Sequence, residues 1–148
     1  MNKIIASAGA LIVTISVVLF AVCMLIPFDF GSYFVCMLLP VGYIMMTAGF
    51  CNESDENHRV AAGAGMTFAA VYAVLVFLVY FAQTTSVRLN PLDEQAMKIL
   101  DYSRGGLLFN YNLLGYGMMA LEFWCACFTP VGVLSLIHFR GRIEKGCS

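Results

Sequence analysis

The stretch FNYNLLGYGMMALEFWCACFTP, residues 109–130, is a long apolar run that contains one ionisable residue, Glu122. A membrane-spanning helix needs about 20 consecutive, mainly apolar residues. An acidic residue inside such a helix is energetically unfavourable, and it therefore marks a candidate functional site. The interiors of the three other long apolar runs contain no residue of this kind. The stretch indicates both the class of protein and the place where its function should be sought.

The composition is that of a chain whose solvent is a lipid bilayer. Of the 148 residues, 61% are hydrophobic and 11% are charged, whereas soluble domains have about 45–50% and about 25%. Four apolar runs account for most of the chain, so no soluble domain of ordinary size remains. We predict a single transmembrane domain over residues 1–148. The net charge of −1 provides no basic surface for nucleic acid.

The positions of the apolar runs predict an all-α fold, an integral membrane four-helix transmembrane bundle. The predicted transmembrane helices are residues 4–26, 33–51, 60–82 and 113–137. Between the third and fourth helices, residues 91–102 have apolar and charged side chains at helical spacing. We expect them to form a short extracytoplasmic amphipathic helix on the membrane surface.

The distribution of Lys and Arg predicts the orientation in the cell membrane. The short segments on one side carry Lys3, Arg59, Arg140, Arg142 and Lys145, whereas the long loop on the other side carries Arg88, Lys98 and Arg104. Because basic loops tend to stay in the cytoplasm, we predict a multi-pass protein with both termini cytoplasmic. The first apolar run is longer than the apolar part of a signal peptide, so we interpret it as a retained helix.

Helical spacing predicts the surroundings of Glu122. Residues three or four positions apart share a helix face, and this places Tyr111, Met118 and Cys125 on the same face as Glu122. Partners for the carboxyl group from the other helices need a hydroxyl group. The candidates are Tyr43, Thr47, Tyr72, Thr14 and Ser16.

Three interpretations of Glu122 compete. It is a protonated structural acid that holds helices together, a proton- or cation-coupling site of a transporter or channel, or an anchor for the polar group of a ligand. The first interpretation follows from desolvation, because burial disfavours the charged form of a carboxyl group. The other two follow from the rarity of intramembrane acids without a functional role.

The sequence favours small-solute or ion transport, or intramembrane ligand binding, centred on Glu122. The alternative is a non-catalytic accessory or structural membrane protein that packs against a partner. An enzyme is disfavoured, because Cys125 and Cys127 do not form a CxxC pair and Glu122 has no second carboxylate to work with. No metal site and no cofactor are predicted. Four helices enclose little volume, so we expect a homo-oligomer or a membrane partner in the lipid bilayer, with a small molecule or a proton as ligand.

Overall fold

The computed structural model of the chain describes residues 2–26, 28–89, 92–100, 102 and 105–127. All regular structure in these residues is helical, which confirms the predicted all-α class. A 3₁₀ turn, Glu56–His58, precedes the third long helix, and a π-helix, Gln83–Val87, follows it. The α-helices in chain order are α1 (Asn2–Leu25), α2 (Asp29–Glu53), α3 (Arg59–Ala82), α4 (Glu94–Leu100) and α5 (Leu107–Cys127).

Three helical segments are long and apolar enough to cross a membrane. They are Lys3–Leu25, Asp29–Glu53 and Glu56–Val87. Helix α5 is not among them over its described length, where Asn110, Asn112 and Glu122 interrupt the apolar sequence. Residues 128–137, which were predicted to complete the fourth span, lie outside the described residues, as do Arg140, Arg142 and Lys145. The fourth crossing and the orientation therefore stay predictions.

Each long helix packs mainly against a neighbour in the chain: α1 on α2, α2 on α3, and α3 on α5. Helix α3 lies at the centre, and its Ala69 and Val79 side chains are fully buried. Helix α1 has contacts mainly with α2, and most of its apolar side chains point outward. An outward apolar surface of this extent is suited to lipid, because soluble monomers rarely expose contiguous apolar patches larger than a few hundred Å².

Small residues set the distance between α1 and α2. A Cβ atom added at Gly9 would lie 2.6 Å from the Gly42 carbonyl oxygen, and one added at Gly42 would lie 2.7 Å from the Gly9 carbonyl oxygen. The two backbones therefore touch at a pair of glycines, as helices do in membranes. Ser16, two turns further along α1, is also buried. The seven-residue spacing of Gly9 and Ser16 thus marks the face of α1 that contacts α2.

The end of the bundle that carries α4 differs from the sequence-based boundaries. Helix α4 begins at Glu94 rather than residue 91, because the Asp93 carboxylate accepts a hydrogen bond from the Ala96 backbone N–H at 2.7 Å and caps the helix there. Helix α5 begins at Leu107 rather than residue 113. Its extra first turns pack into the bundle through Leu108 and Asn112, which are 3% and 2% exposed. Helix α2 begins at Asp29, four residues before the predicted start at 33.

Candidate functional site

Helix α5 directs the Glu122 side chain into the protein. Glu122 is 5% exposed, whereas its neighbours Phe123 and Trp124 are each 68% exposed. The carboxyl-bearing face of α5 packs against α3 at Gly65, where an added Cβ atom would lie 3.5 Å from Cys125 Cβ and 3.8 Å from Glu122 Cγ. Bulky apolar residues that face outward and a single acid that faces inward fix the rotation of α5 about its axis.

The hydroxyl group of Tyr43 donates a hydrogen bond to Glu122 Oε2. Tyr43 lies on α2, so this bond joins two helices that are far apart in sequence. The ion pairs among the described residues are His58–Asp55 and Lys98–Glu94, and neither involves Glu122. The four described Lys and Arg residues are all exposed. Glu122 thus has a hydroxyl partner and no basic partner in the described part of the chain.

Thr47 lies one turn after Tyr43 on α2 and is 4% exposed. Its hydroxyl group lies within hydrogen-bonding reach of the Glu122 carboxyl group, although the bond is not of ideal geometry. Buried polar atoms are nearly always hydrogen-bonded, so Thr47 is the second hydroxyl neighbour of the buried acid.

The other predicted site residues divide into near and distant ones. Tyr72 is 1% exposed, and its ring packs edge-on against Tyr43 with centroids 5.3 Å apart. Cys125 lies beside Glu122 where α5 contacts Gly65 of α3. Met118 packs against the buried cluster that includes Tyr72. Tyr111 is 37% exposed and lies about three helical turns from Glu122, so the structure does not bring it to the carboxyl group. Thr14 is not a partner either, because its hydroxyl donates to the Ala10 carbonyl at 2.9 Å.

The position of Glu122 along the bundle follows from its contact with Gly65. Gly65 lies about six residues after the start of α3, which corresponds to ~9 Å of helix rise. The carboxyl group therefore lies in the half of the bundle nearer the turn between α2 and α3.

A second buried polar group lies at the opposite end of the bundle. Asn112 Nδ2 donates to the Tyr102 hydroxyl at 3.0 Å and to the Tyr80 hydroxyl at 3.4 Å. Asn112 Oδ1 is buried and has no hydrogen-bond partner among the described residues. Sequence reasoning did not find this group, because a polar residue next to a predicted helix end is expected at the membrane interface rather than inside the bundle.

A row of five tyrosine side chains connects the two polar groups, and we call this row the tyrosine column. The Tyr43 ring contacts Tyr72, and the Tyr72 and Tyr116 centroids are 6.2 Å apart. The Tyr116 side chain also interacts with the Tyr80 hydroxyl, and the Tyr80 and Tyr102 centroids are 6.4 Å apart. The members in spatial order are Tyr43, Tyr72, Tyr116, Tyr80 and Tyr102.

The site among the described residues consists of hydrogen-bonding groups and aromatic rings. The described residues contain no group of three or more His, Cys, Asp or Glu side chains that could hold a metal ion. Compared with protein-family models, curated proteins and solved structures, the chain matches none. The case for a function therefore rests on the chemistry of the polar groups themselves.

Proposed function

We propose that this chain is a four-helix integral membrane protein that binds a small solute or an ion inside its bundle at Glu122. Helices α1, α2 and α3 with its π-helical extension form three crossings, and α5 continues into residues 128–137 to form the fourth. Both termini lie in the cytoplasm, and α4 lies at the outer surface. Helix packing encloses little volume in one chain, so solute transport would take place in an assembly of several chains.

The observation that carries this proposal is a buried carboxyl group surrounded by hydroxyl groups and without a basic partner. An acid inside a membrane bundle is energetically unfavourable, and it is a functional-site hypothesis for that reason. Tyr43 donates to Glu122, Thr47 lies beside the carboxyl group, and the described Lys and Arg residues are all exposed. A ligand that offers a hydrogen-bond donor or a positive charge to Glu122 would complete the group.

Native mass spectrometry of the protein released from lipid tests the proposal. We expect the wild-type chain to retain a small molecule of reproducible mass, and Glu122→Gln to lose it while keeping the same helical content and subunit number. Glu53→Gln is the matched control, because Glu53 is an exposed residue at the end of α2. This variant should retain the bound mass.

Two results would contradict ligand binding. One is equal retention of the bound mass by Glu122→Gln. The other is a wild-type chain without a bound mass whose assembly is loosened by Glu122→Leu and unaffected by Glu122→Gln. The second result would favour the accessory role, in which Glu122 donates a structural hydrogen bond that Gln can also donate.

A further inference from the structure

We infer that the ligand of this protein is a small organic cation, recognised by the tyrosine column together with the polar groups at its two ends. This inference rests on the proposed function, because it names the class of solute that Glu122 binds. It depends on three features: the buried polar groups at the two ends, the distribution of charge and the aromatic rings between them.

A buried polar group lies at each end of the column. Glu122 and Thr47 lie at the Tyr43 end, whereas Asn112 lies at the other end, where its Nδ2 donates to Tyr80 and Tyr102 and its Oδ1 has no hydrogen-bond partner among the described residues. All three residues are more than nine-tenths buried. The Glu122 carboxyl group and Asn112 Oδ1 can each accept a hydrogen bond, so each end offers an acceptor to a ligand that carries N–H or O–H donors.

Charge selects a cation over an anion. Glu122 is the acidic residue at the column, and the described Lys and Arg side chains are all exposed. Two of these side chains are engaged away from the column: Arg88 lies 4.2 Å from the Phe30 ring centroid, and Lys98 pairs with Glu94. An anionic solute would find no described basic group inside the bundle. A cation would find one carboxyl group and several hydroxyl oxygens.

The rings provide contacts for a cation between the two ends. A cation within about 6 Å of a tyrosine centroid is attracted to the ring face, and this attraction is stronger where water is excluded. Successive rings in the column have centroids 5.3 to 6.4 Å apart wherever two rings pack directly. Neutral solutes of the same shape gain nothing from this attraction.

Calorimetric titration of the purified protein in detergent micelles, with empty micelles subtracted, tests the inference. The probes are two matched pairs of a cation and a neutral alcohol of similar shape: choline with 3,3-dimethylbutan-1-ol, and protonated ethanolamine with propan-1-ol. We expect at least one cation to bind about tenfold more tightly than its neutral counterpart. In Glu122→Gln this preference should fall to within about threefold.

Substitutions at Tyr72 separate the ring from its hydroxyl group. Tyr72→Phe keeps the ring and should weaken cation binding by no more than about threefold. Tyr72→Leu removes the ring and should weaken cation binding by about tenfold, which corresponds to a binding free energy of roughly 1.4 kcal/mol. Tyr72 is fully buried, so Tyr116→Leu and Tyr116→Phe serve as a second pair at a site that is 43% exposed. Equal effects of Phe and Leu at both positions would overturn the role of the rings.

The experiment distinguishes failure of the inference from failure of the proposed function. Equal binding of cation and alcohol, with both lost in Glu122→Gln, would overturn the cation inference and leave Glu122 as a ligand site. If neither cation binds, the inference is also overturned. An uncharged or anionic molecule retained by the wild-type chain in native mass spectrometry would then identify a different class of ligand. Cation binding that is unchanged in Glu122→Gln would overturn both.

Discussion

Tyr43 and Glu122 come from helices that are not neighbours in sequence, and the half-buried Tyr43 side chain meets Glu122 where the acid is buried. A hydrogen bond in such a place contributes more than one at a surface, because loss of one partner leaves the other buried and unpaired. This bond is the main polar link between α2 and α5 among the described residues. The first prediction concerns its strength.

We expect Tyr43→Phe to destabilise the protein by about 1–3 kcal/mol, because it removes the hydrogen-bond donor to a buried carboxyl group. Thermal unfolding in detergent, followed by circular dichroism, measures this change. Tyr111→Phe is the matched control, because the half-exposed Tyr111 lies away from the carboxyl group. In a double-mutant cycle, Tyr43→Phe should have a smaller effect in the Glu122→Gln background. Additive effects would show that the two side chains do not interact.

At the residue scale, the sequence predicted part of the site. The isolated acid in residues 109–130 identified Glu122, and the need of a buried acid for hydroxyl partners identified Tyr43 and Thr47. Helical spacing also grouped Tyr111 with them, but residues on one helix face spread along its length, and in the structure Tyr111 lies about three turns from Glu122. Asn112 was not found from the sequence, because its partners, Tyr80 and Tyr102, come from segments whose approach no local pattern shows.

At the scale of the elements, close backbone contact determines how α1 packs on α2. We expect Gly9→Ala to destabilise the protein by about 1–3 kcal/mol, since the new Cβ atom would overlap the Gly42 carbonyl oxygen and the Met46 backbone nitrogen, each 2.6 Å away. The control is Gly63→Ala on α3, where no atom outside the glycine's own surroundings lies within 4 Å. It should be neutral or stabilising by up to about 1 kcal/mol.

Thermal unfolding of the two alanine variants measures this difference. Equal stability of Gly9→Ala and Gly63→Ala would contradict the close contact between α1 and α2. Small residues at seven-residue spacing on α1 are typical of such a contact. They do not identify Gly42 as the opposing residue, because small residues are frequent in all the apolar runs.

The second prediction at this scale concerns α4. The Gln83 side chain is 5% exposed and donates from Nε2 to the Leu100 carbonyl at 2.9 Å, so it links the π-helix to the end of α4. We expect Gln83→Leu to release α4 and increase the rate of trypsin cleavage after Lys98 several-fold. Gln95→Leu changes an exposed glutamine of α4 in the same way and should leave the rate unchanged. Equal rates in the two variants would contradict the role of Gln83.

At the scale of the whole molecule, hydropathy predicts more than it does at the scale of single contacts. Three segments that can span a membrane were expected from composition, and the structure shows them as helices. Helix α5 does not meet the same criterion over its described length, because the polar residues of its candidate site lower its mean hydropathy. Asn112 and Glu122 are buried against other parts of the protein rather than exposed at its surface. Mean hydropathy along the sequence does not distinguish these two situations.

Reaction of the protein in liposomes with carbodiimides tests the central claim most directly, namely that Glu122 is an acid buried inside a membrane bundle. A carbodiimide adds to a protonated carboxyl group, and the adduct rearranges to a stable N-acylurea that peptide mass spectrometry assigns to one residue. We predict that a lipid-soluble carbodiimide modifies Glu122, whereas a water-soluble one modifies the exposed Glu53 and Glu94 and leaves Glu122 unmodified. Rapid modification of Glu122 by the water-soluble reagent would contradict the account.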